Sequence, residues 1–297
     1  MNPTKKLGLV TVLYNTPEVL DDFYLSLSLQ KYKNFILYVV DNSSNSESIQ
    51  KAQLLAKEFN IDCVFIDNHG DNVGVAAANN QGIHAALAAG VEAVILINND
   101  LLFKQENVIC SVMSSLSDGE DLVSPLILSY PEEKIWYAGG QFDELRGIAP
   151  HINAGIDLDK PLQYMKNYSY APTCFLAISV KVFDIVGFMD SEYFVYYDDT
   201  DFLYRAHSKG FSVFLNSDAI IYHKVSSSTG GGVSSFGIYY LTRNRLLFIM
   251  KNFKFPYLQI SFLYTIISRF FRALVSEKKI RHAFFKGIFD AFKLMCK

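Results

Sequence analysis

The stretch Ala93-Val94-Ile95-Leu96-Ile97-Asn98-Asn99-Asp100 decides the fold: an apolar run ends abruptly in two amides and one carboxylate. A short apolar run bounded by polar residues has the length and composition of a strand buried on both faces, as in the centre of a parallel sheet. Ligands of open α/β sheets bind beyond the carboxyl ends of such strands, which is where Asp100 would stand. Asn98, Asn99 and Asp100 could instead do no more than cap the following turn, since short polar side chains bond readily to their own backbone. The company the triplet keeps favours the ligand.

Upstream, Leu7 to Tyr14 reads as a first buried strand, and Asn15-Thr16-Pro17 opens a helix with Thr16 as N-cap and Pro17 at the first helical position. Phe35 to Val40 is a second strand that ends at Asp41-Asn42-Ser43-Ser44. A helix over about 46–58 and a third strand, Cys63 to Ile66, continue the alternation. This β-α-β-α rhythm predicts a parallel sheet with helices on its faces. Asn72-Val-Gly-Val-Ala-Ala-Ala-Asn-Asn-Gln-Gly82 then leads into a helix that runs to about Ala89. Its small residues would let a helix N-terminus approach a phosphate, or let the helix pack tightly on the sheet. The Gly-x-Gly-x-x-Gly fingerprint of dinucleotide binding is absent.

Downstream of Asp100, a helix near 105–116 leads to Leu122-Val123. A segment rich in Pro, Gly and aromatics extends to about 170 and contains Trp136-Tyr-Ala-Gly-Gly140. Late loops commonly build the second substrate's pocket, although Trp136 suits a core position equally well. Cys174 to Ser179 reads as a strand, and Lys181 to Val186 as a short helix stopped by Gly187. In Tyr193-Phe-Val-Tyr-Tyr-Asp-Asp-Thr-Asp201, the carboxylates Asp198, Asp199 and Asp201 repel one another. Their clustering suits a cation, a positive partner, proton transfer or the dipole of a helix over about 199–208. Ala219 to His223 is a strand ending in histidine, and Ser226 to Gly232 is a flexible loop that could close over a ligand. Arg243 and Arg245, on a helical stretch from Phe236, suit phosphate contacts.

Charge is unevenly spread. Residues 251–297 hold ten Lys/Arg against Glu277 and Asp290, net +8, so a total of -3 leaves residues 1–250 at -11. The expected organisation is a catalytic domain over 1–250 and a basic amphipathic helical tail over 251–297. In the tail, Phe284, Phe285, Ile288, Phe289, Phe292 and Met295 fall at helical spacing among Arg281, Lys286, Lys293 and Lys297. Such a helix suits an anionic membrane surface, and packing on the catalytic domain or on a second subunit of a homo-oligomer is the other reading. No nucleic-acid partner is expected. Cys63, Cys110, Cys174 and Cys296 lack paired spacing, which suits a reducing cytosol. The first apolar run is too brief for a signal peptide, and no stretch reaches the roughly 20 apolar residues that span a bilayer. A cytoplasmic location, peripheral on the inner face of the cell membrane, follows as the expectation.

The ordered set Thr11-Val-Leu-Tyr-Asn15, Asp41-Asn-Ser-Ser44, Asn72-Val-Gly74, Asn80-Gln-Gly82, Asn98-Asn-Asp100, Ala138-Gly-Gly140, Tyr197-Asp-Asp-Thr-Asp201, His223 and Arg243-Asn244 resembles inverting glycosyltransferases of family 2. The resemblance covers residues 7–250 and implies a GT-A fold: an α/β, Rossmann-like, mostly parallel central sheet flanked by helices, here with a helical C-terminal extension. The Asn-Asn-Asp and Arg-Asn segments look like those of bacterial rhamnosyl- and galactofuranosyltransferases of O-antigen or capsule assembly. The resemblance implies that Asp41 hydrogen-bonds the nucleotide base and that Asp100, the last acid of a D-x-D motif, holds a metal on the diphosphate with His223. Asn98 stands where that motif can carry its first Asp, and Ala78 where a glycine is common. Thr11, Tyr14, Asn15, Asn72, Gly74, Asn80, Asn98 and Arg243 would complete the donor site. Trp136, Gly140 and Asp198 would face the acceptor, and Asp199 would be the catalytic base, with Asp198 its rival.

The chemistry agrees with these residue types. A departing diphosphate gathers negative charge that a divalent cation can stabilise, and oxygen ligands with one imidazole suit Mn²⁺ or Mg²⁺. A carboxylate on the opposite face of the sugar takes the acceptor's proton, so the anomer inverts. The expected donor is dTDP-rhamnose, with UDP-galactofuranose as the alternative, and the expected acceptor is a lipid-linked cell-surface glycan. A nucleotidyltransferase would carry a basic Gly-rich loop where this chain has Tyr14-Asn-Thr-Pro17. The non-enzymatic alternative is a nucleotide-sugar-binding scaffold subunit.

Overall fold

The protein is described by a computed structural model over residues 6–165, 167–224 and 234–296. The Ser226–Gly232 loop expected to close over a ligand lies outside the described residues. Strand β1 (Leu7–Leu13) is followed by a single 3-10 turn, Pro17–Val19, and helix α1 (Leu20–Ser28). The expected cap is therefore corrected: Pro17 starts the 3-10 turn, the Thr16 side chain makes no capping bond, and the α-helix proper begins three residues later. Then come β2 (Phe35–Asp41), α2 (Glu47–Glu58), β3 (Cys63–Asp67), α3 (Val75–Ala88) and β4 (Ala93–Ile97).

β1 pairs in parallel with β2 and β4, and β2 with β3, so the first half of the chain is a parallel βαβ sheet. β4 is buried throughout, as expected for a strand with both faces covered. The small residues of α3 let it lie directly on β1. A Cβ added at Gly82 would stand 2.4 Å from a Val10 methyl, and one at Gly8 would stand 2.7 Å from the Ala86 Cβ. Close helix–sheet packing is thus a real part of what that small-residue stretch does.

The second half adds β5 (Leu101–Leu102), α4 (Val108–Ser117), β6 (Leu122–Ser129), β7 (Ile135–Tyr137), β8 (Phe175–Ser179), α5 (Val180–Val186), α6 (Asp198–Ser208) and β9 (Val213–His223). β8 runs antiparallel to both β4 and β6, while β6 and β9 are parallel. The sheet order is β3-β2-β1-β4-β8-β6-β9-β5, with β7 pairing β6. The β5–β9 pairing sets His223 opposite Leu101, one residue from Asp100.

Three helices close the chain: α7 (Ser235–Asn252), α8 (Tyr257–Leu274) and α9 (Lys278–Met295). α7 begins at Ser234, whose hydroxyl accepts from the Gly237 N–H, and it crosses the position between 250 and 251 unbroken. α9 lies on α7 through Ala283, Phe284, Gly287 and Ala291, and any Cβ at Gly287 would stand 2.8 Å from the Tyr239 carbonyl. Of the tail's aromatic set, Phe284 is buried, whereas Phe285, Phe289, Phe292 and Met295 stay exposed. Among the described residues no helix is long and apolar enough to cross a membrane.

Candidate active site

The sheet brings the polar tips of β1, β2 and β4 to one edge. Asp41, at the end of β2, is buried and accepts a bond from the Ser43 N–H at 2.9 Å. Asn15, in a left-handed conformation (φ 49°), ties the tip of β1 to that of β2: its N–H donates to Ser43 Oγ and its Oδ1 accepts from the Ser44 N–H. Tyr14 beside it is exposed, while Thr11 is fully buried within β1, its Oγ1 without a hydrogen-bond partner among the described residues.

The turn before α3 is fixed by side-chain bonds. Asn72 Oδ1 accepts from the Gly74 N–H at 3.0 Å and from Asn42 Nδ2 at 3.2 Å. Gly74 has φ 86°, and a Cβ there would stand 2.7 Å from the Phe194 carbonyl oxygen, so only glycine fits. Asn80 engages the Met189 backbone at both ends, donating to its carbonyl at 2.8 Å and accepting from its N–H at 3.1 Å. That side chain clamps α3 to the 187–190 turn. Arg243 donates to the Glu192 carbonyl and to Asn244 Oδ1, both at 2.7 Å, and lies over the Tyr240 ring, which stacks on Phe194.

At the tip of β4, Asn98 is exposed, with its N–H on the Cys174 carbonyl, and Asn99 is buried, with its side-chain amide on the Val12 carbonyl. Asp100 and His223 are both buried, and His223 Nε2 stands 3.2 Å from Asp100 Oδ1. Two ligand atoms about 2.1 Å from a small divalent cation and at right angles to each other stand about 3 Å apart, so this separation suits chelation. His223 Nδ1 is buried without a hydrogen-bond partner among the described residues. Among the described residues no group of three or more His, Cys, Asp or Glu side chains could hold a metal ion by itself.

Trp136, half-buried in β7, sets its ring edge-on to His223 at 4.6 Å and to His151 at 4.8 Å, and its carbonyl accepts from His151 Nδ1 at 2.8 Å. Core and site are thus the same place for this side chain. Gly139 (φ 100°) and Gly140 let the chain pass against Tyr168 and Tyr170, and the Gly140 carbonyl accepts the Ser169 and Tyr170 N–H groups. Trp136 and His151 form part of the wall of a groove of about 470 Å³ that also includes Glu132 and Lys134.

The carboxylates sit at the start of α6, as the dipole argument requires, but they are not equivalent. Asp198 is buried, and burial first, then the Asp199 charge, push its carboxyl up to about 8. Asp199 is half-buried and accepts three bonds: from Tyr170 Oη at 2.7 Å, from the Thr200 N–H at 2.6 Å and from Thr200 Oγ1 at 3.1 Å. Asp201 turns inward to Arg205, Tyr193 and Asn252. Tyr196 and Tyr197, just ahead, are both left-handed (φ 62° and 67°), an uncommon state costing on the order of 1 kcal/mol per residue. Asn244 of α7 holds this turn by donating to the Val195 and Tyr196 carbonyls at 2.8 Å each.

Two residues that no local motif marks complete the arrangement. Tyr170 lends its hydroxyl to Asp199, while its own carbonyl accepts from Tyr137 Oη at 2.8 Å. His151 stacks on Tyr170 and lies within electrostatic range of both Asp199 and His223. Burial lowers the His151 pKa, the Trp136 carbonyl and the Asp199 charge raise it, and burial dominates. A run of ring contacts, His223–Trp136–His151–Tyr170, thus leads from the Asp100–His223 pair to Asp199.

This sheet, with carboxylates at the ends of β2 and β4 and at the start of α6, defines a glycosyltransferase of GT-A type. Residues 9–199 match the family described as Glycosyl transferase family 2, and the chain belongs to it. It is 28% identical over 257 residues to the dTDP-rhamnosyl transferase RfbF of Shigella flexneri, covering 82% of this chain and 79% of that protein. Over 245 residues it is 26% identical to the low-salt glycan biosynthesis hexosyltransferase Agl10 of Haloferax volcanii, covering 81% and 74%. Among solved structures, Staphylococcus aureus TarS 1-349 in complex with UDP-GlcNAc superposes with a TM-score of 0.64 at 14% identity, covering 96% of this chain and 80% of that one. The mannosyltransferase PcManGT of Pyrobaculum calidifontis, in complex with GDP-Man and Mn²⁺, gives 0.59 at 13% identity, covering 98% and 82%.

Proposed function

We propose that the enzyme transfers a sugar, with inversion, from a nucleoside-diphosphate donor to a lipid-linked cell-surface glycan. dTDP-rhamnose is the first candidate donor and UDP-galactofuranose the second. The observation that carries the reading is the carboxylate Asp199, held by Tyr170 and Thr200 and joined to the Asp100–His223 pair by the ring contacts of Tyr170, His151 and Trp136. One carboxylate at the acceptor and one ligand pair at the leaving group are what an inverting displacement needs.

In this reading Asp41 takes the nucleotide base, and Asn15, Asn72 and Gly74 shape the walls around the donor. Asp100 and His223 would hold a divalent cation, Mn²⁺ or Mg²⁺, whose positive charge on the donor's diphosphate oxygens stabilises the leaving group. Asp199 accepts the proton of the attacking hydroxyl, while Tyr170 and Thr200 fix the direction of its oxygens. Trp136 and the groove beside it receive the acceptor sugar. The rhamnose assignment is supported by the likeness to RfbF, whose name gives dTDP-rhamnose as its donor.

The membrane face of the reading is supported by α8. Its outward side carries Ile260, Leu263, Ile267, Phe270, Phe271 and Leu274, all exposed, while Ser261 and Thr265 are buried. A helix with its polar residues inward and its large apolar ones outward matches a lipid surface better than water, and the net positive tail suits anionic lipid. Placement on the inner face of the cell membrane follows from the same reading.

The test is a donor panel of dTDP-rhamnose, UDP-galactofuranose and common UDP-hexopyranoses, measuring release of nucleoside diphosphate with a membrane extract as acceptor. Turnover with dTDP-rhamnose is expected. Exclusive turnover of a UDP-hexopyranose would reject both named donors.

A further inference from the structure

Where α7, α8 and the 143–148 turn meet, Arg245 comes within electrostatic range of Arg146 and Arg272, and Arg269 within range of Arg245 and Arg272. Arg146 pairs with Asp143 at 3.8 Å, but among the described residues Arg245, Arg269 and Arg272 form no ion pair with a carboxylate. Arg245 is only 7% exposed, and its Nε and that of Arg269 are buried without a hydrogen-bond partner among the described residues. What Arg245 does touch is the Arg146 carbonyl, by a hydrogen bond, and the Tyr264 ring at 5.5 Å, while Arg269 lies over the Phe284 ring. Burial and the neighbouring guanidinium charges lower the Arg245 pKa and push that of Arg269 down to about 10.

Sequestering like charges from water without a counter-charge is unfavourable unless something else neutralises them. The planar guanidinium fork matches phosphate oxygens two at a time, and its hydrogen bonds to an anion are about twice as strong as neutral ones. The position is as informative as the charge. Tyr197, the residue just before Asp198, donates to the Gly147 carbonyl at 3.0 Å and lies within electrostatic range of Arg245, Arg269 and Asp199. The arginines therefore lie toward Asp199 rather than at the polar tips of β1 and β2. Arg269 and Arg272 belong to α8 itself, so the site adjoins that helix's exposed apolar face.

We propose that Arg245, Arg269 and Arg272 form a site for the phosphate or diphosphate of an amphiphilic acceptor. The acceptor's hydrocarbon chain lies along the outward face of α8 and its glycan end points toward Asp199. The proposal rests on the lipid-linked acceptor assigned above and names the group by which the enzyme recognises it. It differs from the donor's diphosphate, which the same reading gives to Asp100 and His223.

Calorimetry on the full chain tests this directly, with a chelator present to weaken the metal-dependent donor site. The probes are inorganic pyrophosphate, farnesol and farnesyl diphosphate. Farnesyl diphosphate is expected to bind roughly tenfold or more tighter than either of the others, because only it offers both the anion and the chain. The double variant R245Q/R269Q should fall to the affinity of farnesol, and R272Q, at an exposed position that spares the fold, should lose about three- to tenfold. Both variants should keep wild-type dTDP binding when Mn²⁺ is supplied. Unchanged farnesyl diphosphate affinity in R272Q and in R245Q/R269Q overturns the site. Pyrophosphate binding as tightly as farnesyl diphosphate overturns the lipid source, and complete displacement of the probe by dTDP returns the arginines to the donor. If the variants lose farnesyl diphosphate while a soluble glycan proves to be the acceptor, the site stands and the lipid-linked reading fails.

Discussion

Replacing Asp199 by Asn removes the proposed base while keeping its shape, and the structure sets the outcome on three axes. The Asn Oδ1 can keep the bonds from the Thr200 N–H and Oγ1, while its Nδ2 faces Tyr170 Oη, whose hydroxyl can turn to accept. The ground-state loss is then about 1 kcal/mol, the ordinary worth of one hydrogen bond. Turnover should fall by about 10² to 10⁴, or roughly 3–5 kcal/mol of transition-state stabilisation, with donor affinity kept. Stability should move the other way at high pH. Asp198 is raised to about 8, so the folded protein holds a proton that the unfolded chain releases above the ordinary carboxyl value of 3.8. Its burial therefore costs nothing below that value and erodes stability progressively as pH rises toward 8, where the folded protein's carboxyl ionises. Asp199 is the second-ranked cause of that shift, so Asp199→Asn should melt higher relative to wild type at pH 8 than at pH 5. The assays are nucleoside-diphosphate release, donor calorimetry and thermal melting across that pH range. Asp198→Asn is the paired control: its carboxyl is largely protonated at pH 7, which an amide imitates, so it should keep turnover within about tenfold. The reasoning is refuted if Asp199→Asn keeps more than about a tenth of wild-type turnover, if Asp198→Asn is the inactive member, or if both lose donor binding.

Asp100→Ala should abolish Mn²⁺-dependent donor binding, and His223→Gln should weaken it by about 10- to 100-fold, as metal-ligand losses do; calorimetry with and without chelator reads both, and full affinity of Asp100→Ala under chelation would contradict the ligand assignment. Phe270→Ser with Phe271→Ser, both on the exposed side of α8, should move the protein from pellet to supernatant in sedimentation with anionic vesicles, whereas unchanged pelleting would exclude α8 as the inserting face. Gly139→Ala should destabilise by about 2–4 kcal/mol, because φ is 100° and the added Cβ would fall 2.0 Å from the Tyr168 ring; a denaturant midpoint equal to wild type would contradict the packing there.

By itself the sequence determined the parallel half of the sheet and the acids that punctuate it. β2, β3 and β4 fall within a residue or so of their expected ends, and α2 and α3 begin and stop close to where turn residues place them. The reason is local: a strand covered on both faces is apolar along its length, so Asp41 and Asp100, though both buried, mark where each apolar run ends. Asp198, Asp199 and Asp201 were legible as a cluster for a similar reason, since a helix start favours carboxylates. The family resemblance came from the same signals taken in order.

Tertiary structure decided what periodicity does not encode, namely which distant segments meet. His223 faces Asp100 because β9 pairs with β5 in one particular register, and a shift of one residue would turn its side chain to the other face. His151 and Tyr170 belong to an irregular segment with no helical or strand period, and they became visible only once the chain had folded them against Trp136 and Asp199. Arg243 and Arg245, two residues apart on α7, point into different surroundings, the first toward Glu192 and Tyr240 and the second toward α8. α8 shows the same limit most plainly. Periodicity marks the amphipathic helix over 281–297, whereas the apolar outer side of α8 emerges only from the packing of Ser261 and Thr265 inward, because an apolar stripe specifies only that water is avoided there.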